Sequence, residues 1–186
     1  MIMRRVRQFF LVAWLAAALP PGFGQEFRET DLKAVFLLRF GSFMQWPEPA
    51  QPQSEFVIGV LGEDPLAAVL EAAVVGETVA GRPVRVVRYR GVNEVRDPAI
   101  LFISRSKRDR LRHILHILRG RPILTVSDLE HFTDAGGMVG LASDQRRVRL
   151  RVNVTATRAS RISVSSKLLS VVEVVGDESS TGGTGA

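Results

Sequence analysis

Apolar and polar positions recur with two different periods along this chain, and their order predicts an α/β domain. Leu32, Val35, Phe36, Phe40, Phe43 and Met44 follow one another mostly at steps of three and four, which gathers them on one helix face behind Thr30 as the expected N-cap. The pattern stops at Gln45-Trp46-Pro47, and Pro47 to Ser54 reads as a loop.

Two similar units come next. An apolar strand, Phe56 to Leu61, is followed by Asp64 as a cap, Pro65 in the first turn and a helix from Leu66 to Val75. Gly81-Arg82-Pro83 then leads into a strand from Val84 to Tyr89. The second unit repeats the order: strand Ile100 to Ile103, Ser106 as cap, helix Asp109 to Leu118, and Gly120-Arg121-Pro122 leading into Ile123 to Val126. Near-continuous apolar strands alternating with helices predict a parallel sheet covered on both faces.

Past Val126 the period changes. Met138 to Ala142 and Arg147 to Val154 form a hairpin through Ser143 to Arg146, with Val148, Leu150 and Val152 inward and Arg147, Arg149 and Arg151 outward. Thr155 to Ser160 and Ser166 to Val175 read as helices. The expected fold is a single α/β domain whose mixed sheet has about six strands. It combines two β-α-β units with a C-terminal antiparallel hairpin, and helices lie on both faces.

The start of the chain predicts where it works. Arg4, Arg5 and Arg7 precede an unbroken apolar run, Phe9 to Leu19, and Pro20-Pro21-Gly22-Phe23-Gly24 offers small residues for a signal peptidase. As a helix that run crosses only about half of a ~30 Å hydrocarbon layer, so it reads as a leader cut after about Gly24. A domain over 25–175 and a disordered, Gly-, Ser- and Thr-rich tail over 176–186 are expected to follow, with no later membrane span.

The leader holds three arginines and no acid, so the net charge of +6 falls to +3 beyond it. A mildly basic exported protein has no regulated access to nucleic acid, and DNA binding is set aside. The chain has no cysteine, which excludes disulfides, thiol chemistry and thiolate metal sites.

Catalytic patterns are missing. His113 and His116, with His131 and Asp128, could supply metal ligands, but a surface histidine pair is the simpler account. Ser104 and Lys107 have Ser-x-x-Lys spacing without the motifs that accompany it, and neither Gly-x-Ser-x-Gly nor a dinucleotide fingerprint occurs. A non-enzymatic protein without a cofactor is expected. The organised polar feature is the row Arg147, Arg149 and Arg151, spaced about 7 Å apart on one strand face, which suits an anionic ligand or an acidic partner. A solvated face, or protection of an edge strand, explains the row equally well. Phe43, Met44 and Trp46, at the aromatic end of the first helix, are candidate contacts; plain core packing is the alternative.

An ordered set of segments carries a resemblance. Leu32 to Phe40 ending in Trp46-Pro47, Ile58 to Pro65, Gly81-Arg82-Pro83-Val84, Ile100 to Ser104, Leu124 to Asp128, Gly136-Gly137-Met138, Arg149 to Asn153 and Ser165 to Leu169 together resemble the YfiR family of exported bacterial proteins. The resemblance implies a periplasmic regulator that restrains an inner-membrane diguanylate cyclase through its periplasmic sensor portion, and so limits cyclic di-GMP and biofilm formation. It also implies homodimers and sensing of a small ligand, with contacts in the strand holding Arg149 and Arg151. Members commonly carry cysteines, one just before the strand at Ile100, where this chain has Asp97-Pro98-Ala99. Control through disulfides is therefore not expected here. A periplasmic small-ligand receptor feeding a histidine kinase or an uptake system is the alternative.

Overall fold

The first helix, α1 (Glu29–Phe43), lays Ala34, Leu37 and Phe40 on one buried stripe and ends where Met44 turns into a short strand. A computed structural model describes residues 29–48, 54–144 and 147–176, with the backbone alone over 142–144 and 147–148. The expected leader over 1–24 lies outside the described residues, as does the expected tail over 176–186 apart from Gly176. Thr30 sits within the first turn of α1 rather than capping it.

In chain order the remaining elements are β1 (Met44–Gln45), β2 (Phe56–Leu61), α2 (Leu66–Ala73), β3 (Thr78–Val79), β4 (Arg82–Tyr89), β5 (Ile100–Ile103), α3 (Leu111–Leu118), β6 (Leu124–Ser127), β7 (Val139–Asp144), β8 (Arg147–Asn153), α4 (Val154–Ala159), β9 (Ser163–Val164), α5 (Ser166–Leu169) and β10 (Glu173–Val175). The main sheet has eight strands in the order β10-β8-β7-β6-β5-β2-β4-β3, and β1 and β9 make a separate two-stranded ribbon. Strands β4, β2, β5, β6 and β7 run parallel, while β8 pairs antiparallel to β7.

Both expected β-α-β units are present, and their helices take opposite faces. Alternate strand residues divide between two cores because successive side chains point to opposite sides of a pleated sheet. Phe56, Ile58, Val60, Ile100 and Phe102 meet α1 and α2, whereas Leu61, Leu101 and Ile103 meet Ile114 and Leu118 of α3. Gly59 belongs to this packing. A Cβ there would lie 2.7 Å from the Tyr89 ring and 2.8 Å from Leu101, so only glycine lets both side chains close on β2.

Several expectations need correction. The sheet is wider than expected because β3 and β10 extend its two edges. The second of these falls within the segment read as helix: α5 stops at Leu169, and Glu173 to Val175 add to β8 instead. Valines at 171, 172, 174 and 175 favour an extended chain more than a helix. As a result β8 is flanked by β10 from Arg151 to Asn153, so edge protection does not account for Arg151, whereas Arg147 and Arg149 lie beyond that pairing. Caps also move by one or two positions. Ser104, not Ser106, receives the capping N–H, from Ser106, and Ser165 caps α5 through the N–H of Leu168. Asp64 does accept from the Leu66 N–H, at 3.0 Å.

Candidate functional site

The strand order contains a switch point, because β4 joins one side of β2 and β5 the other. Open α/β sheets tend to bind ligands outside the carboxyl ends of the strands at such a point. Here side chains bridge it. The Ser104 hydroxyl donates to the Glu63 carbonyl at 2.7 Å, and the Glu63 N–H donates to the Ser106 hydroxyl at 3.0 Å. Gly62, at φ +97°, brings the loop close enough that a Cβ would stand 2.4 Å from the Ser106 oxygen. Ser104 is thus committed to the loop facing it and is not poised against Lys107 as a nucleophile.

Beside this staple, α1 reaches the end of β6. The Lys33 ammonium donates to Asp128 Oδ2 at 2.6 Å and lies 2.6 Å from Glu29 Oε1. Arg105 adds its Nε at 3.1 Å from the same carboxylate oxygen and bonds the Asp128 carbonyl at 3.2 Å. Both Lys33 and Asp128 are buried, so each needs the other's charge. Burial works against the Lys33 ammonium, but the bonds to Asp128 and then Glu29 outweigh it and raise its pKa above the usual lysine value. Two cations face two anions, which makes a neutral tie between helix and sheet. Among the described residues Asp128 Oδ1 is buried and takes no hydrogen bond.

The arginine row lies elsewhere. Arg149 is exposed opposite Ala142 of β7, while Arg151 bonds Glu173 of β10 at 3.0 Å and Asp134 at 3.3 Å. His131 shares that Asp134 oxygen at 3.1 Å. The Arg151 guanidinium, and after it His131, holds the Asp134 carboxyl below the usual aspartate range. The side chain of Arg147, the third member of the row, lies outside the described ones. His113 and His116 are exposed on α3, and the described residues contain no group of three His, Cys, Asp or Glu side chains able to hold a metal.

The aromatic end of α1 divides. Met44 is buried in the first core, and Phe43 packs half-buried against it. Trp46 stands apart. Its indole N–H donates to the Ala99 carbonyl at 2.9 Å, and its ring meets Phe56 edge-on at 5.4 Å. This fixed indole lines a half-open groove of about 780 Å³ at the amino-terminal edge of the sheet, together with Met44, Val79, Arg82 and Arg161. The arrangement can hold a molecule; it offers no nucleophile paired with a base. Sequence reasoning passed over Lys33, Arg82 and Arg161. The available signal for Arg82 was the doubled Gly-Arg-Pro, whose second arginine, Arg121, bonds Asp97 at 3.0 Å and the Val95 and Arg96 carbonyls at the same edge.

A family model described as YfiR/HmsC-like matches residues 30–173. No curated protein matches the chain.

Proposed function

The chain belongs to the YfiR/HmsC-like family, and from that premise we propose that it is a periplasmic regulatory protein that restrains an inner-membrane diguanylate cyclase by binding its periplasmic sensor portion. The observation that carries the reading is the extent of the match, which runs from the first turn of α1 to the first residue of β10. It takes in the sheet from β2 to β8, the Lys33–Asp128 tie and the arginine strand. Binding rather than catalysis agrees with a switch point closed by serines and with a groove lined by aromatic and arginine side chains.

Such a protein acts through differential affinity: it lowers cyclase output to the extent that it binds the inactive conformation more tightly than the active one. Arg147, Arg149 and Arg151, with Trp46, Phe43 and Met44, are the contacts this reading nominates, in a protein exported by its leader and working as a homodimer. Deleting the gene should raise cellular cyclic di-GMP, and complementation should lower it again. A variant carrying Arg149→Glu and Arg151→Glu should fold and fail to complement. Unchanged cyclic di-GMP on deletion would move the protein to the receptor reading. Mass spectrometry of the envelope fraction should find a chain beginning at about Gln25, and light scattering should find a dimer.

A further inference from the structure

The amino-edge groove has properties that core packing does not require. Of the three non-glycine residues with positive φ among the described residues, two line it: Ala80 at +50° and Arg161 at +59°. Side chains are disfavoured there because Cβ crowds the neighbouring carbonyl, and glycine is the usual solution. Arg161 occupies the turn that ends α4, where its N–H bonds the Arg158 carbonyl and the N–H of Ile162 bonds that of Thr157. Glycine commonly fills such a position. The arginine held there is exposed and has no carboxylate partner among the described residues, which leaves its guanidinium available to an anionic group.

Arg82 is placed to work with it. Its guanidinium lies 5.3 Å from the centre of the Phe56 ring, and no described carboxylate pairs with it. The lining acid Asp97 is already taken by Arg121, which leaves Glu48 against two arginines. The groove therefore carries an uncompensated positive charge beside an apolar floor of Met44, Val79 and the Trp46 indole. Its volume is that of a small-ligand pocket, roughly 300–1,000 Å³, but it stays open along one side. An occupant buries one flank and continues into solvent, as an extended chain does.

We propose that this groove is the docking site for an extended acidic segment of the protein partner, with carboxylates on Arg82 and Arg161 and an apolar side chain against Trp46. Planar guanidiniums suit carboxylates because they offer paired N–H donors. This deepens the regulatory reading, and rests on it for the partner's identity but not for the chemistry of the groove.

Trp46 supplies the readout. The chain has two tryptophans, at positions 14 and 46, so Trp14→Phe leaves Trp46 as the only indole of the full chain. A capped peptide with phenylalanine between two pairs of glutamates should change its emission saturably, and the glutamine analogue should bind about tenfold more weakly. Arg82→Gln and Arg161→Gly should each weaken the acidic peptide by about as much. Arg161→Gly should also keep or raise Tm, since glycine adopts its backbone angle freely, so its loss of binding cannot be ascribed to unfolding. Equal binding of both peptides, no saturable signal, undiminished binding by Arg161→Gly, or preference for phosphatidylglycerol vesicles over the peptide would each overturn the proposal. In the complemented deletion strain, Arg161→Gly should fail to lower cyclic di-GMP. If it restrains as wild type does, the groove is not the docking site although the regulatory function stands; if wild type itself restrains nothing, that function falls and the peptide experiment still decides the groove.

Discussion

Lys33 and Asp128, 95 positions apart in the chain, meet at 2.6 Å where the first turns of α1 cross the carboxyl end of β6. Among the described residues α1 is the only helix before the two β-α-β units, and this contact ties its start to the sheet while Trp46, just past its end, bonds Ala99. Removing one partner leaves the other charge buried with less to neutralise it. Lys33→Met should cost about 3 kcal/mol, measured by urea denaturation, whereas Lys33→Met with Asp128→Leu should recover most of that loss.

The same pair sets an alkaline limit. A lysine whose pKa rises on folding contributes stability that is fully present below its unfolded value, about 10.4, and that is lost as pH climbs through the folded value. Lys33 is such a group. Tm of the wild type should therefore fall on the alkaline side of that value more steeply than Tm of Lys33→Met. Parallel curves would show that the ammonium does not carry the linkage.

At the switch point, Ser104 both donates to Glu63 and accepts the Ser106 N–H while almost wholly buried. Ser104→Ala orphans a carbonyl and an amide together. The expected loss is about 2 kcal/mol, with faster hydrogen exchange at the Ser106 amide. If the serines instead served a hidden catalytic site, their removal would leave stability nearly untouched.

Much of this fold was legible because burial repeats at short range. The runs Phe56 to Leu61 and Ile100 to Ile103, each followed by a capped amphipathic segment, predict the parallel sheet, and the alternation around Leu150 and Val152 predicts β8. Strand β10 was misread because a three-residue edge strand has too few positions to display a period. The site was harder still. Lys33 sits on an apolar helix stripe and looks like an error in the pattern until Asp128 is brought to it from the far side of both β-α-β units. Arg161 gave no sign at all, since a left-handed backbone angle is a property of the turn and not of the residue type.

Arg151 joins β8 to β10 and to the loop holding Asp134. A carboxyl whose pKa is lowered on folding contributes stability above its unfolded value and loses it as pH falls through the folded one. Asp134 belongs to this class, chiefly through its bond to Arg151. Carboxyl-detected NMR should find its midpoint below the usual aspartate range, and Arg151→Gln should return it towards that range. The exposed position of Asp134 implies a titration effect without a large change in Tm.

A direct test of the packing lies at Gly59, which carries no positive φ and so has no backbone reason to be glycine. Its neighbours supply the reason, since an added Cβ would fall within 2.8 Å of Leu101 and closer still to Tyr89. Gly59→Ala should therefore destabilise by about 2 kcal/mol through overpacking alone. Leu101→Ala opens the space that the new methyl needs. The double variant should lose less than the two single losses added together, by about 1 kcal/mol in a double-mutant cycle. Additive losses would mean that the conflict is relieved through Tyr89 or the backbone, and that α3 does not press Leu101 onto β2 as firmly as the packing of this face implies.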